Sequence, residues 1–104
     1  MDAKTLNALK GSIKKWEGVV KGTVKDEGPD NCPLCQRFQT HDGCAGCPVS
    51  IKTKEDWCLG SPYYDYVELE DSALPDEKAI SLAAKKELAF LKRLLPRKSV
   101  KRSR

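Results

Sequence analysis

The chain has 104 residues, 39% of them hydrophobic and 33% charged, and this length corresponds to one domain. The formal net charge is +4, and no apolar run reaches the roughly 20 residues that a membrane-spanning helix needs, so we expect a soluble protein. The N-terminus lacks the basic and apolar runs of a signal peptide, so we expect a cytoplasmic location in which cysteines stay reduced.

A long helix is predicted from about residue 3 to residue 21. Apolar residues recur here at intervals of three and four, which places them on one helical face: Leu6, Leu9, Ile13, Trp16 and Val20. Asp2 is suited to cap the start of this helix and Gly22 its end. The opposite face is basic and carries Lys4, Lys10, Lys14 and Lys21. We therefore expect an amphipathic helix that packs on a partner further along the chain.

Two Cys-x-x-Cys pairs form the most specific motif of the sequence. Cys32 and Cys35 make up the first pair, and Cys44 and Cys47 make up the second after a loop of eight residues. Four thiolates complete a tetrahedral zinc site, and such a closed site has no open position for substrate or water. The pattern predicts a structural four-cysteine zinc knuckle, with no catalytic residue. Its metal segment, over about residues 31–60, has too few large apolar side chains to form a core of its own.

The identity of the fourth ligand is open at this stage. Cys58 is the candidate replacement for Cys44 if the loop between the two pairs is too short to close on one ion. His41 lies in that loop, but the spacing on either side of it is one residue longer than in a C-x2-C-x4-H-x4-C knuckle. We therefore expect His41 to be a solvated loop residue.

The cysteine pattern has two alternative interpretations besides a zinc site. Disulfide pairing fits poorly, because the cysteine count of five is odd and a reducing compartment is expected. An iron–sulfur cluster is the stronger alternative, because four or five thiolates and the Cys47-Pro48 pair also suit such clusters. Zinc is the default prediction, and the iron–sulfur cluster stays open.

A short helix is predicted after the cysteines. Ser61 is suited to cap it and Pro62 to be its first residue, and three apolar or aromatic residues in it are placed to close over the metal site: Tyr63, Tyr66 and Val67. The surrounding stretch from Glu55 to Glu77 holds eight acidic residues and no Lys or Arg. Because these acids repel phosphate, we expect the tyrosines to pack rather than to stack on nucleic acid.

A second long helix is predicted from Pro75 to a stop at Pro96. Pro75 suits a first helical position, and the charges at the two ends complement the helix dipole. Its apolar stripe consists of Ile80, Ala84, Leu88, Leu91 and Leu95. The fold prediction is therefore mainly α: two long antiparallel helices plus a short helix, with the zinc knuckle inserted on their connection, in one domain over residues 1–96.

The remaining residues 97–104 are predicted to form a flexible basic tail. Its bases are candidate contacts for the phosphates of a nucleic acid: Arg97, Lys98, Lys101, Arg102 and Arg104.

Several segments together resemble a group of small cysteine-rich proteins encoded by bacteriophages and prophages. They are Lys15-Trp-Glu17, Asn31-Cys-Pro-Leu-Cys35, Cys44-Ala-Gly-Cys-Pro-Val49, Cys58-Leu-Gly-Ser-Pro-Tyr63 and Ala84-Lys-Lys-Glu-Leu-Ala-Phe-Leu91. The resemblance extends from about Lys15 to Pro96 and strengthens Cys58 as a ligand. It implies a bacterial host cell as the setting and no particular activity.

No enzyme constellation is present in the sequence, because it has no phosphate-binding glycine loop and only one histidine. We expect a non-enzymatic adaptor or inhibitor that presents its acidic, Tyr-rich segment or a helix face to a host protein. One alternative is a nucleic-acid-binding zinc protein that uses the tail and the basic face of the first helix. Another is a redox-sensitive metal switch, in which oxidation of the thiolates releases the ion.

Overall fold

The computed structural model describes residues 1–40 and 43–96, and helices dominate this part of the chain. The elements in order are α1 (Ala3–Lys21), a 3-10 turn (Gly28–Asn31), α2 (Pro33–Phe38), α3 (Pro48–Thr53), α4 (Pro62–Glu70) and α5 (Glu77–Arg93). The described residues contain no strand, and an isolated bridge joins Thr40 and Gly43. The prediction of a mainly α fold is confirmed.

Helix α1 has the predicted bounds and caps. The backbone N–H of Thr5 donates to Asp2 Oδ1 at 2.8 Å, which satisfies one of the free N–H groups of the first turn. Gly22 adopts a left-handed conformation with φ 83°, and its N–H donates to the carbonyls of Gly18 and Val19. The four lysines of the predicted basic face are exposed. Local signals therefore suffice to define this helix.

Helix α5 begins two residues later than predicted. Asp76 caps it, because its Oδ1 accepts the backbone N–H groups of Lys78 and Ala79 at 2.9 and 3.3 Å. Pro75 therefore precedes the cap and is not the first helical residue. The helix ends at Arg93. Pro96 disfavours helical geometry in the residue before it, which fits an end at this point.

Helices α1 and α5 run in opposite directions. Thr5 near the start of α1 shares a groove with Arg93 at the end of α5, and Val20 near the end of α1 shares another with Glu77. The core between the long helices consists of Leu9, Ile13 and Trp16 from α1 and Ala83, Ala84 and Leu91 from α5.

The cysteine segment lies on the connection between the long helices, as predicted, and its side chains also pack into the core between them. Leu34 on α2 and Val49 on α3 are 2% and 3% exposed, and they belong to the same hydrophobic cluster as Trp16. Close approach of α2 to α1 depends on Gly11, because a Cβ there would lie 3.0 Å from Pro33 Cγ. The segment therefore forms no core of its own but contributes to the common one, which its composition did not indicate.

Lys54 at the end of α3 is in a left-handed conformation with φ 63°, which is unfavourable for any residue with a Cβ. We expect Lys54→Gly to stabilise the fold by about 1 kcal/mol, because glycine adopts this conformation without strain. Lys52→Gly is the matched control, since it removes a lysine from a helical position of α3 and should destabilise by about 0.5–1 kcal/mol. Urea unfolding of both variants measures the difference, and an equal loss in both would contradict the prediction.

Candidate functional site

All five cysteines line one small cavity of about 30 Å³ inside the core. Cys32 and Cys35 lie at and just after the start of α2, Cys44 and Cys47 precede α3, and Cys58 lies in the loop before α4. The default ligands and the alternative ligand Cys58 are therefore all brought together. Side chains of α1 and α5 complete the wall of the cavity, so both long helices border the thiols.

The five thiols line the same cavity, but their arrangement is not that of a metal coordination sphere. In residues 1–40 and 43–96, no group of three or more His, Cys, Asp or Glu side chains is arranged so that it could hold a metal ion as it stands. His41 lies outside the described residues, and so do the five tail bases. Zinc and the iron–sulfur cluster both stay predictions, supported by the chemistry of the donor set.

The two thiols of the first cysteine pair interact through a hydrogen bond that shifts their pKa values in opposite directions. A hydrogen bond from the Cys35 side chain lowers the pKa of Cys32 to about 6, although burial acts in the opposite direction. The same hydrogen bond raises the pKa of Cys35. The backbone N–H of Cys35 also donates to Cys32 Sγ at 3.2 Å. Because the thiolate is the form that binds metal, Cys32 is poised to be a ligand.

The backbone at the second cysteine pair is fixed by a hydrogen bond to the Asp56 side chain. The backbone N–H of Cys44 donates to Asp56 Oδ1 at 2.9 Å, and a Cβ on Gly43 would lie 2.6 Å from the same oxygen. Gly43 therefore permits the close approach of this carboxylate. Burial raises the pKa of Cys47, and the backbone N–H groups of Val49 and Ser50 oppose this shift.

The loop that carries Cys58 has a strained backbone. Trp57 and Cys58 are both left-handed, with φ 61° and 64°, at a cost of about 1 kcal/mol or more for each residue. Ser61 occupies the predicted N-cap position of α4, but its hydroxyl donates to the Cys58 carbonyl at 2.7 Å and makes no capping bond to the helix. Burial raises the pKa of Cys58 to about 12. Cys58 lines both the small cavity and the neighbouring one from this left-handed position.

A larger cavity of about 180 Å³ adjoins the first. Six residues line both cavities: Trp16, Cys32, Cys35, Cys44, Cys58 and Glu87. Trp57 also lines the larger cavity, and 45% of it is exposed. Four of the five cysteines therefore border both cavities, and Cys47 borders the small one.

The tyrosines near the site mainly pack. Trp16 contacts Tyr63 and Tyr66 edge-on, with ring centroids 5.7 and 4.9 Å apart. Tyr66 is 5% exposed, and the Tyr63 hydroxyl donates to Asp26 Oδ2 at 3.1 Å. Tyr64 is exposed. The packing interpretation is confirmed for Tyr63 and Tyr66.

Sequence reasoning missed a buried ion pair beside the site. Lys15 Nζ lies 2.7 Å from Asp26 Oδ1, with both side chains less than a tenth exposed. The backbone N–H of Gly28 donates to the same carboxylate at 3.0 Å. Helical periodicity places Lys15 at the flank of the polar face, and no local pattern links it to Asp26.

Sequence reasoning also missed Glu87, a buried carboxyl group on α5. It is 3% exposed, and burial raises its pKa to about 8 against the effect of the Tyr63 backbone N–H. A signal was available, because Glu87 lies three residues after Ala84 and four before Leu91, both in the predicted apolar stripe. A charged residue within such a stripe faces the core, and a buried charged side chain is typical of a residue with a specific partner or function.

No protein-family model, curated protein or solved structure matches the chain. Within the described ranges 1–40 and 43–96, no helix is both long and apolar enough to cross a membrane.

Proposed function

We propose that this protein is a small non-enzymatic interaction protein whose fold is held together by a thiolate-bound metal, with zinc as the ion. Cys32, Cys35, Cys44 and Cys47 are the default ligands, and Cys58 is the alternative. One observation carries this proposal: five cysteines from separate segments line a single cavity within the core. Thiolates are the donors that zinc prefers in structural sites.

The composition of the core gives further support. The buried hydrophobic residues include Cys44 and Cys47, and the large aliphatic side chains among them are Leu9, Ile13, Leu34, Val49 and Leu91. A core this small supplies limited burial free energy for a chain of this length. A metal that joins α2, the turn before α3 and the loop before α4 compensates for that deficit.

The interaction role is proposed from the surface charge. Four exposed acids lie on and just after α4: Asp65, Glu68, Glu70 and Asp71. We propose that this acidic surface binds a basic region of a host protein, which fits the setting implied by the resemblance to phage-encoded proteins. Binding to DNA or RNA that falls steeply with salt and depends on the tail bases would contradict this part of the proposal and favour the nucleic-acid alternative.

An iron–sulfur cluster is the second candidate for the site. The observation that favours it is the larger cavity, because four thiols also border that volume of about 180 Å³. A cluster occupies more space than a single ion and takes four cysteine ligands. In that case the protein would have an electron-transfer or redox-sensing role.

Elemental analysis tests the choice directly. The protein is purified without air and without added metal, and zinc, iron and acid-labile sulfide are measured together with an ultraviolet–visible spectrum. We expect one zinc per chain and no visible absorption. Iron with sulfide and a broad absorption band at the violet end would favour the cluster. A metal-free protein with five freely titrating thiols would overturn both assignments.

A further inference from the structure

Glu87 is the least explained side chain in the described part of the molecule. It lies in the middle of α5, is 3% exposed and lines both cavities that the cysteines border. Its Oε1 atom is buried and has no hydrogen-bond partner. Buried polar atoms in folded proteins are nearly always paired, so this oxygen requires an explanation.

The charged groups around Glu87 do not supply its partner. Lys15 lies close by on α1, but its ammonium group is already bound to Asp26 at 2.7 Å. The backbone N–H of Tyr63, at the start of α4, is directed at the carboxyl group, which still leaves Oε1 unpaired. The other neighbours that affect Glu87 electrostatically are the Asp26 carboxylate and the Cys32 thiol.

Cys58 lies close enough to Glu87 for the two groups to interact electrostatically, and both line the same two cavities. Burial favours the neutral forms of both groups in the metal-free chain, whereas a cation bound between them would stabilise the thiolate and the carboxylate together. Both groups are also established zinc ligands. The side chain that is unpaired in the free chain thus has the chemistry of a metal ligand.

We propose that Glu87 is an oxygen ligand of the metal centre, in which Oε1 binds the same ion as the cysteine thiolates on the side of the cavity where Cys58 lies. This inference rests on the proposed function, because it requires a bound metal. It also assigns a role to α5, which would be joined through the ion to the cysteine segment. Because structural zinc takes four ligands, the Glu87 carboxylate would take the place of one thiolate, and the site would be a mixed sulfur and oxygen site rather than an all-thiolate knuckle.

X-ray absorption at the zinc edge of the full-length, metal-loaded protein tests the ligand set. We expect a shell of sulfur at about 2.3 Å together with an oxygen at about 2.0–2.2 Å, the distances typical of thiolate and carboxylate ligands. In Glu87→Gln the oxygen contribution should change, and chelator competition should show at least a tenfold weaker affinity for zinc. Glu68→Gln, which changes an exposed acid on α4, is the control and should stay within twofold of the unchanged protein.

The outcomes separate this inference from the proposed function. Zinc bound with a sulfur-only shell would overturn the role of Glu87 and leave the thiolate site intact. An oxygen shell and a zinc affinity that are both unchanged in Glu87→Gln would also overturn the inference. A protein that holds no metal would overturn the proposed function itself. A sulfur-only shell in the unsubstituted protein would overturn the inference even if Glu87→Gln does not fold.

Discussion

Replacing Cys32 with serine is expected to release the metal and to unfold the cysteine segment. A serine hydroxyl is a poor zinc ligand, whereas the Cys32 sulfur is the thiol whose pKa is lowered to about 6. Structural zinc contributes on the order of 10 kcal/mol in small metal domains, which is comparable with the whole stability of about 5–15 kcal/mol of a typical domain. Zinc content and circular dichroism during urea unfolding measure the loss, and chelation of the unsubstituted protein should reproduce it.

Other single substitutions distinguish the ligands. His41→Ala should leave zinc content and stability unchanged, because the loop spacing argues against His41 as a ligand. Cys44→Ser and Cys58→Ser should differ from each other if one of these thiols is outside the coordination sphere. Loss of zinc in His41→Ala, together with retention in Cys44→Ser, would contradict the default ligand set.

Replacing Asp26 with alanine is expected to cost about 3–5 kcal/mol, because it leaves the buried Lys15 ammonium without its partner. The Tyr63 hydroxyl and the Gly28 N–H lose their acceptor in the same variant. Urea unfolding of the metal-loaded protein measures the effect. The double variant Lys15→Met with Asp26→Leu should recover much of the loss, because neither charge is then left buried and unpaired.

The control for Asp26→Ala is an ion pair on the surface. Lys92 Nζ lies 3.8 Å from Glu17 Oε2, and both side chains are about half exposed. Glu17→Gln should therefore change the stability by less than about 1 kcal/mol. If Asp26→Ala changed the stability as little as this control does, the conclusion that Asp26 is the essential partner of the buried Lys15 ammonium would be wrong.

The long helices were predictable from the sequence, whereas two of the short ones were not. In α1, five apolar residues at helical spacing and a cap at each end all agree. Helices α2 and α3 have six residues each, too few for such a pattern to emerge. Both begin with a proline directly after a cysteine. A Cys-Pro pair of this kind is equally typical of the turn in a metal knuckle, so the sequence does not identify it as a helix start. At Ser61-Pro62 no such competitor exists, and the helix start is predicted correctly.

The candidate site was predictable in its sulfur donors and not in its other groups. Cysteine spacing is a local signal, so the two pairs and the candidacy of Cys58 follow from it. The pairing of Lys15 with Asp26 joins a helix to a residue 11 positions later in a loop, and no local sequence pattern reports a contact of this kind. Glu87 escapes sequence reasoning because a charged residue is expected to face solvent, although its helical position places it inward.

The pairing of the first long helix with the last has a consequence for folding kinetics. Helices α1 and α5 can meet only after the whole segment between Lys21 and Glu77 has closed into a loop. Long loops cost more closure entropy, and folds that depend on such distant contacts form slowly. An ion that first joins the cysteines within that segment would shorten the effective loop. The order in which metal and helices assemble would then set the rate at which the newly made chain reaches its native state.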